Sequence, residues 1–198
     1  MKLSVQPSRW LEGEIDVEAR LDRVPSDFLV KGMFFTHLVE LLGTEWDAVS
    51  RSLVSSPDGG RYLPFRDYPQ RDYSRVAYAA SQHLFPKVPA PEAARRVARL
   101  DFQAFASSRI GRISLTLISD AETALSKIPQ LYALSIKGGQ VTGEPIDDGF
   151  RLHYRDFYGW VDCYPIGTIE GFVMHYGENP RIDVEVMGDN EAVYEVRW

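Results

Sequence analysis

The chain has 198 residues, is 44% hydrophobic and 25% charged, and carries a formal net charge of −6. This is the balance of one globular domain able to bury a real core, and the acidity argues against a broad phosphate-binding face. The one cysteine, Cys163, excludes an internal disulfide and an all-cysteine zinc site, so a cytoplasmic protein is expected.

Residues 1–22 are polar and weakly patterned and read as an N-terminal extension, with "GEIDVEARLD" a short strand or helix. They lack the apolar stretch of a signal peptide, and no run in the chain approaches the roughly 20 apolar residues of a membrane span. The rest, 23–198, reads as a single α+β domain with a helical part over 23–129 and a sheet part over 130–198. "VPSDFLVKGMFFTHLVELLG" predicts a helix capped by Ser26 or Asp27 and stopped by Gly43, with Val30, Phe34, His37 or Leu38, and Leu41 as its stripe. Thr44 caps a second helix through "EWDAVSRSLV". Residues 55–70, with three prolines and a Gly-Gly pair, read as a loop. A helix through "RDYSRVAYAASQHLF" repeats Tyr73, Val76, Ala77, Ala80 and Leu84 at helical spacing. "PEAARRVARLDFQAFASS" predicts another, with Pro91 and Glu92 in its first turn. "RIGRISLTLISD" and "AETALSKIPQ" extend the helical block to about residue 129, giving five or six helices.

The pattern then changes to alternation. Tyr132, Leu134 and Ile136 read as one strand, "QVTGEPIDDG" as a loop, and "FRLHYRD" as a strand with Phe150, Leu152 and Tyr154 on one face. "RIDVEVM" and "AVYEVRW" form a hairpin around "GDN". Between the strand pairs a helix from Pro165 to Gly177 carries Ile166, Ile169, Val173 and Tyr176 on a stripe, with Phe172 beside it. The plan is a helical half packed on a four-stranded antiparallel β-β-α-β-β unit. Gly167 and Gly171 lie one turn apart. Two interior glycines cost roughly 1 kcal/mol each against alanine, which close approach to the sheet or to a ligand would offset.

Cys163 precedes that helix, where the macrodipole and free N–H groups favour a thiolate; the alternative is a small buried hydrophobe. His153 sits on the polar strand face, and His37, His83 and His175 are dispersed over three helices, so no sequence-local metal site forms. Arg95, Arg96 and Arg99 share a helix surface, read as a solvated face or as a place for an anionic partner. There is no GxSxG, no P-loop and no Rossmann glycine pattern. An enzyme is therefore not expected.

"FRLHYRDFYGWVDCYPIGTIEGFVMHYG" followed by "RIDVEVMGDNEAVYEVRW" resembles the end of haem-nitric-oxide/oxygen-binding (H-NOX) domains and of the related vinyl-4-reductase-type and TRAPP-subunit ligand-binding domains. From about residue 15 onward the chain is similar to a myxobacterial paralogous family of uncharacterised domains. The carriers are "RVPSDFLVKGMFFTHLVELLG", "PEAARRVARLDFQAFASSRIGR" and "GTIEGFVMHYG…YEVRW". The H-NOX resemblance implies a haem-binding histidine on the helix before the first strand and a Tyr-x-Ser-x-Arg motif. Here "ALSKIPQLYAL" has no histidine, and Tyr154, Asp156 and Tyr158 stand at the motif, an aspartate where haem propionates would dock. No haem and no other cofactor is expected. The zinc cysteines of some vinyl-4-reductase-type domains are missing too, and the acylated cysteine of a TRAPP subunit offers only a loose precedent for Cys163.

The resemblance implies a non-enzymatic sensory or regulatory domain of bacterial signalling, with a pocket between helices and sheet. Its ligand-binding candidates are Tyr132, Tyr154, Asp156, Tyr158, Trp160, Cys163, Gly167 and Gly171. The alternative is an interaction module whose pocket is filled by side chains. The partner is a small molecule or a protein, with no nucleic acid and no membrane, and a homodimer is allowed.

Overall fold

Carboxylates, prolines and glycines set most element ends where the sequence places them. The computed structural model describes residues 1–5, 11–57, 60–116 and 118–198; part of the 55–70 loop, at 58–59, lies outside the described residues. The chain opens with β1 (Lys2–Val5), α1 (Val17–Asp22) and β2 (Leu29–Lys31), then α2 (Met33–Leu42), a 3-10 turn (Gly43–Glu45) and α3 (Trp46–Ser50). After β3 (Asp67–Pro69) come α4 (Gln70–Leu84), α5 (Ala90–Ser107), α6 (Arg109–Leu115) and α7 (Ala121–Ser135). β4 (Ile136–Lys137), β5 (Gln140–Ile146), β6 (Gly149–Arg155), α8 (Tyr164–His175), β7 (Arg181–Gly188) and β8 (Glu191–Arg197) complete it. Asp16 and Asp120 cap α1 and α7 by accepting from the Ala19 and Thr123 amides. Gly43, at φ 51°, ends α2.

The main sheet has five antiparallel strands in the order β1-β7-β8-β6-β5, one more than expected. Its inner face buries Leu152, Tyr154, Ile182, Tyr194 and Val196. The other face is a lattice of charges in which Arg151 bonds Glu144 and Glu195, and Arg197 bonds Asp148, Asp183 and Glu195. β6 and β7 flank β8, and α8 is the crossover that links them. A second, three-stranded sheet, β3-β2-β4, joins the helical half to the end of α7.

Four sequence expectations need correction here. Residues 1–5 and 11–22 are not an appendage: β1 pairs along β7, and Leu11, Ile15 and Leu21 are buried. The helix expected from Ser26 starts only at Met33, because Leu29–Lys31 pairs with both β3 and β4. Gly32 lies where a Cβ would stand 2.3 Å from the Leu63 carbonyl oxygen, so the chain turns there without room for a side chain. The core face of α2 is accordingly Phe35, Leu38 and Leu42, with Phe35 stacked 4.1 Å from Tyr62. α7 runs through Pro129 to Ser135, since Ala121, Ala124, Leu125 and Ile128 set a helical stripe that Leu131 and Tyr132 continue. Finally "QVTGEPI" is a strand, paired along its length with β6 despite its polar residues. As a sheet edge it tolerates Gly143 and Pro145.

α8 settles the question of its glycines. A Cβ on Gly167 would fall 1.9 Å from the Arg95 carbonyl oxygen, and one on Gly171 would fall 2.6 Å from the Phe102 ring. The small-residue face therefore nestles on α5, neither on the sheet nor on a ligand. Arg95, expected at the surface, is fully buried in this seam. It donates to Glu170 on α8 and to Glu92 one turn back, while Arg96 also bonds Glu92 and Arg99 lies near Glu170. Glu92 further accepts from the Leu11 amide at 3.1 Å, drawing the N-terminal segment into the same cluster. Losing one partner of such a pair leaves an uncompensated buried charge, which costs about 3–5 kcal/mol. No helix among the described residues is long and apolar enough to cross a membrane.

Candidate functional site

Four helix faces converge on a cavity of about 170 Å³. α4 presents Gln70, Tyr73, Ser74 and Ala77, α5 presents Ala98, Asp101, Phe102 and Phe105, and α7 presents Ile128, Leu131, Tyr132 and Ser135. In each helix the spacing is i, i+3, i+4, i+7, the signature of a single face. α8 adds Tyr164, Pro165, Thr168 and Phe172; α2 adds Phe34; β6 adds Tyr154. The turn after β6 closes the floor with Phe157 and Trp160. Trp160 holds φ at 56°, a left-handed backbone unusual for a bulky residue. Its carbonyl accepts from the amides of Cys163, which precedes α8, and of Tyr164, which begins it, so hydrogen bonds tie the turn to the helix start. Tyr154 packs edge-to-face against both Tyr132 and Phe157, and Tyr132 tilts against Phe157, with centroids 5.0–6.1 Å apart.

One end of this largely apolar space is polar. Tyr73 Oη donates to Asp101 Oδ2 at 3.0 Å and lies 2.9 Å from Tyr164 Oη, which is itself 3.3 Å from the same carboxylate oxygen. His37 Nδ1 stands 3.3 Å from Asp101 Oδ1. Burial first, and the Asp101 charge second, push both phenols well above their ordinary value, so each keeps its proton. The triangle of oxygens thus has two protons for three edges, and one edge always lacks a hydrogen bond. Gln70 donates to Ser74 Oγ at 3.4 Å, while its Oε1 is buried without a partner.

Of the residues singled out from the sequence, Tyr132, Tyr154 and Trp160 line the cavity. The others do not. Asp156 and Tyr158 turn toward the β7–β8 hairpin, where Asn190 Nδ2 donates to Asp156 Oδ1 at 3.2 Å and to Tyr158 Oη at 3.4 Å. Gly167 and Gly171 belong to the α5 contact. Cys163 is fully buried, and burial, with Asp162 adding to it, pushes its thiol well up despite the Arg20 guanidinium nearby. That corrects the thiolate expectation: desolvation outweighs the helix N-terminus. His153 pairs with Glu191 at 2.8 Å on the charged sheet face. No cluster of three or more His, Cys, Asp or Glu among the described residues could hold a metal ion.

The polar end escaped sequence reasoning, yet it left a signal. In "AARRVARLDFQAF" Asp101 falls on the same turn-to-turn stripe as Ala94, Val97 and Ala98. A carboxylate on an otherwise apolar helix face is a buried polar group that needs partners.

Solved structures share this architecture. The unliganded Fe(II) H-NOX protein from K. algicida superposes with a TM-score of 0.63, at 14% identity over 84% of this chain and 95% of that one. The H-NOX protein from S. oneidensis in its Fe(II)NO state gives 0.62, at 16% identity over 85% and 99%. An oxygen-binding H-NOX domain related to soluble guanylate cyclases gives 0.59, at 21% identity over 84% and 90%. At such identities the likeness is one of fold. No curated protein sequence matches the chain. The family described as protein of unknown function (DUF2378) matches residues 23–198. The chain therefore belongs to the DUF2378 family and has the fold of H-NOX domains.

Proposed function

We propose that this is a non-enzymatic, haem-free receptor domain that senses a small organic molecule. The cavity among α4, α5, α7 and α8 carries the reading. An apolar cavity of ~150 Å³ accepts a benzene-sized ligand, and the cavity here is of that order, about 170 Å³. Open space of that size is the reverse of what a filled, purely adhesive module would hold.

The H-NOX likeness raises haem, and the residues present do not fit it. A porphyrin is several times larger than benzene. Among the described residues no histidine, cysteine or methionine lines the cavity, and α7, where the resemblance places the axial histidine, has no histidine. The carboxylate in the wall, Asp101, would repel propionates. Catalysis finds little support either: Cys163 is buried with its thiol held protonated, and His37 is outside the lining.

Titration of the full chain with toluene, followed by calorimetry and by methyl NMR, tests the reading. Saturable one-to-one binding is expected, with shifts confined to residues around the cavity, and Ala77→Leu, which fills it, should abolish binding. An absence of saturable binding, or binding indifferent to the filled cavity, would overturn the proposal.

A further inference from the structure

We infer that the cavity selects small organic cations: an ammonium group on an apolar or aromatic carrier, its nitrogen against Asp101 and its hydrocarbon among the rings. This rests on the receptor reading and narrows it to a ligand class. Apart from tyrosines, Asp101 is the only ionisable residue in the lining among the described residues. Its side chain is 11% exposed, so water screens it weakly and an approaching anion meets repulsion. A cation removes that imbalance.

The hydrogen-bond inventory agrees. In the Tyr73–Asp101–Tyr164 triangle both phenol protons are already committed, so what it can still offer a ligand is acceptor capacity, which suits an N–H donor. His37 touches the other carboxylate oxygen, leaving Oδ2 facing the two phenols. Gln70 Oε1 is a second acceptor in the same wall with no donor. Phe34, Phe102, Phe105, Phe157 and Trp160 border the same space, and aromatic ring faces attract cations and not carboxylates. Burying an ammonium group is costly by itself; carboxylate, phenol oxygens and rings together offset that cost. A neutral hydrocarbon would use the rings alone.

Calorimetric titration of the full chain with benzylamine, benzyl alcohol, toluene and benzoate at neutral pH separates the possibilities. Benzylamine is expected to bind about tenfold or more tighter than toluene, the worth of a charge-assisted hydrogen bond, and benzoate weakest of all. In Asp101→Asn the benzylamine-to-toluene affinity ratio should collapse to near unity. Toluene or benzyl alcohol matching benzylamine, or benzoate exceeding it, overturns the cation inference and leaves the receptor intact. Retention of the amine preference in Asp101→Asn overturns it as well. Failure of every compound to bind overturns both. Should the variant not fold, the ranking on the unaltered chain decides alone.

Discussion

Gly167→Ala probes the seam that holds the helical half to the C-terminal unit. The added methyl would stand 1.9 Å from the Arg95 carbonyl oxygen and 2.8 Å from its carbon, against backbone that cannot rotate away. α5 and α8 must separate by about 1 Å or more to restore van der Waals contact. Alanine's better helix propensity returns about 1 kcal/mol. Overpacking costs about 1–3 kcal/mol, and separation also stretches the buried Arg95–Glu170 bonds, whose full rupture would cost about 3–5 kcal/mol. The net expectation is a destabilisation of roughly 2–4 kcal/mol, read as a lower urea midpoint at unchanged m-value. Gly171→Ala should cost less, because its methyl meets the Phe102 side chain, which borders the cavity and can yield. A Gly167→Ala protein as stable as the parent would refute the backbone contact and, with it, the placement of α8.

The buried phenols make the fold sensitive to alkali. Burial raises Tyr73, Tyr154, Tyr164 and Tyr194 above 10.0, so between that value and their raised ones the folded chain holds protons that the unfolded chain releases. Their stabilisation is complete below pH 10 and falls as pH rises, by about 5 kcal/mol per pH unit at the steepest. Unfolding should therefore coincide with a cooperative rise in tyrosinate absorbance; gradual titration without unfolding would contradict the burial. Cys163 should resist iodoacetamide in the native state and react at once in urea, and equal rates would show that the thiol is accessible. Haemin added to the purified chain should give no stoichiometric Soret band, whereas a saturable band would reverse the haem-free reading.

Much of the architecture was legible because it is written in apolar periodicity. α4, α5 and α8, the Phe150-Leu152-Tyr154 strand and the terminal hairpin all follow from spacing alone. β5 was not legible, since an edge strand with one buried residue, Val141, has no alternation to read. β1 and β2 owe their state to distant partners, β7 for one and β3 and β4 for the other. The end of α7 was misread because Tyr132, Leu134 and Ile136 also satisfy a strand pattern; Leu134 in fact points to solvent. Of the candidate site residues, Tyr132, Tyr154 and Trp160 line the cavity, whereas Asp156, Tyr158, Cys163, Gly167 and Gly171 do not. The polar end was missed because Tyr73, Asp101 and Tyr164 come from three helices, and only tertiary packing brings their oxygens within 3.3 Å of one another.

The most direct test is a crystal of the full chain pressurised with xenon. An anomalous peak is expected between α4 and α8, ringed by Ala77, Phe102, Tyr154 and Trp160, in the open apolar space on which ligand capture depends. Side-chain density filling that region, with no xenon bound, would contradict the receptor reading and leave only a module that acts through its surface.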